Sequence, residues 1–280
     1  MLWFGKQADP KKSDLRDRIQ PAELKISLDP EICAGKLGML TERMGERGGP
    51  AEFIGALRAK HELFARVLEP GALPELSREG LAAVIETVFT ARRRLPSAWR
   101  DMDHQALLAA VRELLYGSAP LSDRMRAFAD PFAAAGEKVK RAAWDLGAEM
   151  LHFRAPEQYP LMTRWVWDTS TQSGALREFL KGNDTLREIP FDDRPETFEG
   201  ARSALAEQLA TQGFYRDVVY MVDLLLAQAY SDYLRAMSSG MSMLAADFGA
   251  KDDPLELVTK MLGIDPARRG GQSRLKAEAD

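Results

Sequence analysis

Apolar residues recur at intervals of three and four along almost the whole chain, and this spacing limits what it can fold into more than any motif does. Residues so spaced share one face of an α-helix, whereas a half-buried strand requires strict alternation. Between Ala51 and Leu68, the positions Phe53, Ile54, Leu57, His61, Phe64, Val67 and Leu68 keep the helical period. So do Leu81, Val84, Ile85, Val88 and Phe89, and again Leu107, Leu108, Val111, Leu114 and Leu115. No alternating run is long enough for a sheet, so at most a short strand is expected, near 24–28 or 186–191. The spacing therefore predicts an all-α fold, a bundle of about nine or ten helices with flexible N- and C-terminal arms.

Turn and cap residues divide that pattern. Asp29 followed by Pro30 reads as an N-cap with proline in the first turn, opening a helix to about Met44. Pro70-Gly71 ends the second helix, Ser77 caps a third that Leu95-Pro96 breaks, and Gly117 stops a fourth begun near Met102. Further helices are expected at 121–129, 137–153, 173–180, 198–212, 216–245 and 254–262. The last is signed by Asp253 as cap and Glu256 as its capping-box partner. Residues 1–28 read as an N-terminal arm and 29–180 as the main helical domain. The polar, proline-bounded stretch 181–197 reads as a linker, 198–265 as C-terminal helices packing on the main domain, and 266–280 as a disordered tail.

At 280 residues the chain is long enough to bury a core without staples. Its 38 basic and 42 acidic residues leave a net charge of −4, so no global field gathers nucleic acid, and a nucleic-acid partner is disfavoured. The one tight basic run, Arg92 to Arg94, reads as the cationic end of a helix. A single cysteine, Cys33, allows neither an intrachain disulfide nor a cysteine metal cluster, which suits a reducing, cytoplasmic setting. Met1 to Lys6 has too short an apolar stretch for a signal peptide. Residues 217–247 are interrupted by Asp223, Asp232 and Arg235, which marks a buried helix rather than a membrane span.

The nucleophile elbow, the P-loop, the dinucleotide glycine pattern and HExxH are all absent, no cofactor is expected, and nothing separates an enzyme from a binding protein. Asp101 with His104, and Glu149 with His152, stand three apart on helix faces, as ligands do in di-iron bundles, with Glu62 and Glu86 as further candidates. The alternative is ordinary caps and hydrogen-bonded histidines. Asp223, inside an apolar run, must be paired or hydrogen-bonded, as a structural tether or a tuned acid. The words Leu151-His152-Phe153, Pro156 and Tyr159-Pro160 resemble a stretch in helix-hairpin-helix DNA-glycosylase relatives. That family's Leu-Pro-Gly-x-Gly hairpin and following catalytic aspartate are not in place here, so no glycosylase chemistry follows.

The densest group of unusual residues lies in the segment 152–177. Arg154, Tyr159, Arg164, Trp165, Trp167 and Asp168 are followed by Ser170, Thr171 and Ser173 at an expected helix start, whose free N–H groups suit an anion. As a partner-binding corner this segment makes the chain an interaction or assembly protein, since aromatic and arginine anchors favour interfaces. As an anion seat at the 164–177 helix entry it makes the chain a binder of a small anionic or phosphorylated ligand. A carboxylate–histidine metal bundle is the third reading. The apolar face of 216–245 can pack within the chain or across a homo-oligomer.

Overall fold

A computed structural model describes residues 18–240 and 253–265. Expectations for 1–17, for the end of the 216–245 helix and for the 266–280 tail lie outside the described residues. Those residues form ten α-helices and no strand. In chain order they are α1 (Pro30–Gly45), α2 (Pro50–Val67), α3 (Arg78–Glu86), α4 (Leu95–Arg100), α5 (His104–Tyr116), α6 (Leu121–Ala129), α7 (Glu137–Arg154), α8 (Pro195–Thr211), α9 (Val218–Gly240) and α10 (Pro254–Met261).

The caps act where their residue types suggest. Asp29 accepts from the N–H groups of Glu31 and Ile32, Ser77 from Gly80, and Asp253 from Leu255. At α5 the cap is Asp103, bonded to Ala106 N–H, while Asp101 closes the short α4 instead. The expected helix 77–95 is split. The Thr87 hydroxyl returns to the Val84 carbonyl, α3 stops at Glu86, and turns carry the chain to Leu95. Pro96 then opens α4 rather than ending a helix, because a first-turn proline lacks only an N–H that would have no helical partner. Arg92 and Arg93 therefore sit in turns, and Arg94 precedes the start of α4 rather than closing a helix.

Helices α7 and α9 form the centre. Helix α7 packs on α2, α4, α5 and α6, while α9 packs on α1, α2, α8 and α10. One continuous cluster of buried apolar side chains runs from Leu28 to Leu262, so 29–180 and 198–265 share it. The stretch expected as a linker is held down as well: Ile189 and Phe191 are buried, and Arg177 donates to the carbonyls of Gln172, Asn183 and Leu186. The arm from residue 18 onward lies against the bundle through Ala22 N–H to the Glu196 carbonyl. No helix among the described residues is long and apolar enough to cross a membrane.

Candidate functional site

Two groups of polar residues compete as the site, and α7 contributes to both. The first is interior. Lys60 Nζ donates to Glu149 Oε2 at 2.9 Å and to the Leu262 carbonyl at 2.8 Å, and lies 3.8 Å from the Phe153 ring centroid. His152 Nδ1 faces the Tyr159 carbonyl at 2.9 Å, and its Nε2 faces Asp223 Oδ2 at 2.9 Å. A carbonyl only accepts, so Nδ1 carries a proton, and the His152–Asp223 contact holds a second one between Nε2 and Oδ2. Burial pushes Lys60 down and Glu149 up, and their mutual contact opposes both shifts.

These four side chains are at most 2% exposed, and the cavity that touches Asp223 is about 10 Å³, too small for a substrate. The group is a buried hydrogen-bonded network, and Asp223 has in His152 the partner that its apolar surroundings demanded. The expected metal ligands are dispersed into such contacts: Glu149 goes to Lys60, His152 to Asp223, and His104 Nε2 donates to the Leu76 carbonyl at 2.9 Å. Among the described residues no three His, Cys, Asp or Glu side chains are grouped to hold a metal ion.

The second group opens to solvent. The segment 152–177 begins as expected, leaving the helix after Arg154, but its interior differs from the expected anion seat. Instead of an α-helix from Ser173 there is a tight turn, bridged between Asp168 and Ser173, and then a five-residue 3₁₀ turn, Ala175–Phe179. The N–H groups that were to be free are used: Ser173 bonds to Asp168, Ala175 to Trp165, Leu176 to Val166 and Arg177 to Gly174. Gly174, at φ +132°, permits this folding back, since a Cβ there would lie 2.6 Å from the Val166 carbonyl oxygen.

Aromatic residues of the segment mostly turn inward. Tyr159 and Trp165 are buried, the latter against Tyr230 with centroids 6.0 Å apart. Trp167 is buried too, its N–H donating to the Phe191 carbonyl, and Arg154 stacks on Tyr116. Thr171 and Ser173 bond each other through their hydroxyls. Arg164, Trp167, Asp168 and Ser170 remain in the walls of a surface cleft.

The cleft consists of two adjoining cavities of about 230 Å³ each, which share Arg141 and Arg164. One is lined by Arg94, Lys138, Arg141 and Arg164 around Asp145, so four cations meet one acid. Arg164 ties the cavities together: its backbone N–H donates to Asp145 Oδ1 at 2.8 Å, and its guanidinium pairs with Asp168. Arg141 approaches Glu137 only at 3.8 Å, and Arg94 and Lys138 pair with no carboxylate among the described residues. Burial raises the Asp145 carboxyl from 3.8 to about 7, against the opposing pull of Arg164 N–H. Burial also acts to raise Asp168, but the Ser170 hydroxyl and Arg164 outweigh it, and its carboxyl is lowered.

Of these groups, sequence reasoning missed Lys138, Arg141, Trp144 and Asp145, and it favoured a helix end over an anion contact for the basic run that holds Arg94. A signal existed: Lys138, Arg141 and Asp145 share the three-and-four spacing of one α7 face, and Glu137, Lys140 or Arg141, and Trp144 occupy the next. Arg94 stood out only within its basic run, because its approach to α7 depends on the turns after α3. Fold and cleft together define a helical protein with an opening beside α7 that is cationic on the side of Arg94 and Lys138. Comparison with known proteins finds no matching family model, no matching curated protein and no matching solved structure.

Proposed function

We propose that this chain binds a small anionic ligand, carrying a phosphate or carboxylate, in the cleft between α7 and the Arg94 and Arg164 segments. The observation that carries the reading is the convergence of four cations on one cavity, two of them without a carboxylate partner among the described residues. Like charges held together repel, so an arrangement of this kind is stabilised when an anion fills it. Arginine adds forked donors that match phosphate and carboxylate oxygens. A protein partner has less to rest on, because Tyr159, Trp165 and Trp167, which would have anchored it, are buried. The exposed large apolar residues among those described are Met39, Tyr215 and Met237. A reducing, cytoplasmic location accords with Cys33, a buried thiol pushed up to about 11 by burial.

The test is titration of the full chain with inorganic phosphate by calorimetry, beside the Arg94→Ala/Lys138→Ala double variant. Both side chains are exposed, so the variant keeps its fold, which its melting temperature verifies. Saturable binding by the wild type, weakened at least tenfold in the variant, is expected. Equal binding by both proteins, or none by either at millimolar phosphate, overturns the proposal.

A further inference from the structure

We infer that the ligand is a monophosphate ester with a ring-bearing body, its anionic head among Arg94, Lys138, Arg141 and Arg164 and its ring in the adjoining cavity beside Trp144. This deepens the proposal above and rests on it. Size is the first argument. Each cavity, at about 230 Å³, is smaller than an ordinary small-molecule site of roughly 300–1,000 Å³, whereas the two together fall within that range. Arg141 and Arg164 stand in the walls of both, so a molecule spanning the cleft passes between groups suited to its charged end.

Chemical asymmetry is the second argument. The cavity beyond the two arginines is lined by the aromatic residues Trp144, Trp167 and Phe198 together with Glu137, Lys140, Asp168, Ser170 and Asp193. Trp144 and Trp167 are held by N–H bonds to the Met162 and Phe191 carbonyls, so their indoles stand as preset walls. Trp167 is almost wholly buried, which leaves the half-buried Trp144 as the face a ring can cover. Flat aromatic walls favour a planar partner. Lys140, Arg141 and Arg164 also line this cavity, but Lys140 pairs with Asp130 and Arg164 with Asp168. Glu137 and Asp193 therefore leave it less receptive to a second anionic group than the first cavity and open to donors such as hydroxyl or amino groups on the ring. That favours a single phosphate over a phosphodiester chain, whose next phosphate would face these carboxylates.

Calorimetric titration of the full chain with inorganic phosphate, pyrophosphate and phenyl phosphate tests this, using wild type, Trp144→Ala and the packing-conserving Trp144→Phe. Phenyl phosphate is expected to bind at least tenfold more tightly than inorganic phosphate, and pyrophosphate no more tightly. Trp144→Ala should remove the phenyl advantage, so that phenyl phosphate binds it no more tightly than inorganic phosphate does, while Trp144→Phe restores most of that advantage. If phosphate binds through Arg94 and Lys138 but phenyl phosphate gains nothing, or pyrophosphate binds more tightly, the inference fails and the anion site stands. If none of the three binds, both fail.

Discussion

A lysine and a glutamate that meet inside the protein are held there by different constraints. Lys60 satisfies its ammonium through Glu149, the Leu262 carbonyl and the more distant Thr87 carbonyl, while Glu149 has no second partner for Oε1. Removing the carboxylate leaves a buried cation uncompensated. Glu149→Leu should therefore cost on the order of 3–5 kcal/mol in urea unfolding. The Lys60→Met/Glu149→Leu double variant should cost clearly less than the sum of its two single changes. Strict additivity would mean that the two residues are not energetically coupled.

Asp145 lies on the same helix but lines the cleft, and its titration links stability to the proposed ligand binding. Unfolded, its carboxyl titrates near 3.8, and folded near 7. Between those values the native chain keeps a proton that the unfolded chain has released. The stability contributed by the raised group is fully present below 3.8 and is lost as pH rises through about 7. Asp145→Asn copies the neutral acid and keeps an acceptor for Arg164 N–H. Its stability relative to wild type should improve from pH 5 to pH 8 by about 2–3 kcal/mol, seen as several degrees in melting temperature. Sulfate, a dianion throughout this range, should bind wild type more weakly at pH 8 than at pH 6, and the variant equally at both. A relative stability that stays flat across this range would show that Asp145 is already ionised at pH 5.

At the scale of elements, α7 does two jobs with adjacent faces. Glu149 and His152 enter the interior network, while Lys138, Arg141, Trp144 and Asp145 line the cleft, so these groups of the proposed site stand on a largely buried helix rather than on a loop. Helix α10 shows how a short element is docked. Its last turn ends at Gly263, with φ +68°, where a Cβ would lie 1.8 Å from the Thr87 carbonyl oxygen and 3.0 Å from Lys60 Nζ. Only glycine allows this approach without displacing the Lys60 bond to Leu262. Gly263→Ala should therefore loosen α10 ahead of the rest of the chain, raising amide hydrogen exchange across 254–262 while leaving α5 and α6 protected. Unchanged protection of 254–262 would show that Lys60 does not pin the helix.

Across the whole molecule, the helical class and most helix ends were legible in the sequence. Three-and-four spacing and the caps Asp29, Ser77 and Asp253 are local signals, because a helix satisfies its backbone within a few residues of chain. Where local rules allowed two outcomes, packing decided. Pro96 began a helix instead of ending one, and Gly174 turned an expected helix entry into a closed turn whose N–H groups are used. Loop residues such as Trp165 and Trp167 read as exposed anchors, yet burial of their large apolar surface outweighs the freedom of a loop, at about 1.5–3 kcal/mol for a large apolar side chain. Periodicity shows that Asp223 must find a partner but not that the partner is His152, 71 residues away. In the same way, the sequence contains every cation of the cleft but not their meeting. Helix identity is settled by neighbours along the chain, whereas a site depends on how distant elements pack, and only the tertiary structure brings Arg94, Arg164 and the cationic face of α7 around one carboxylate.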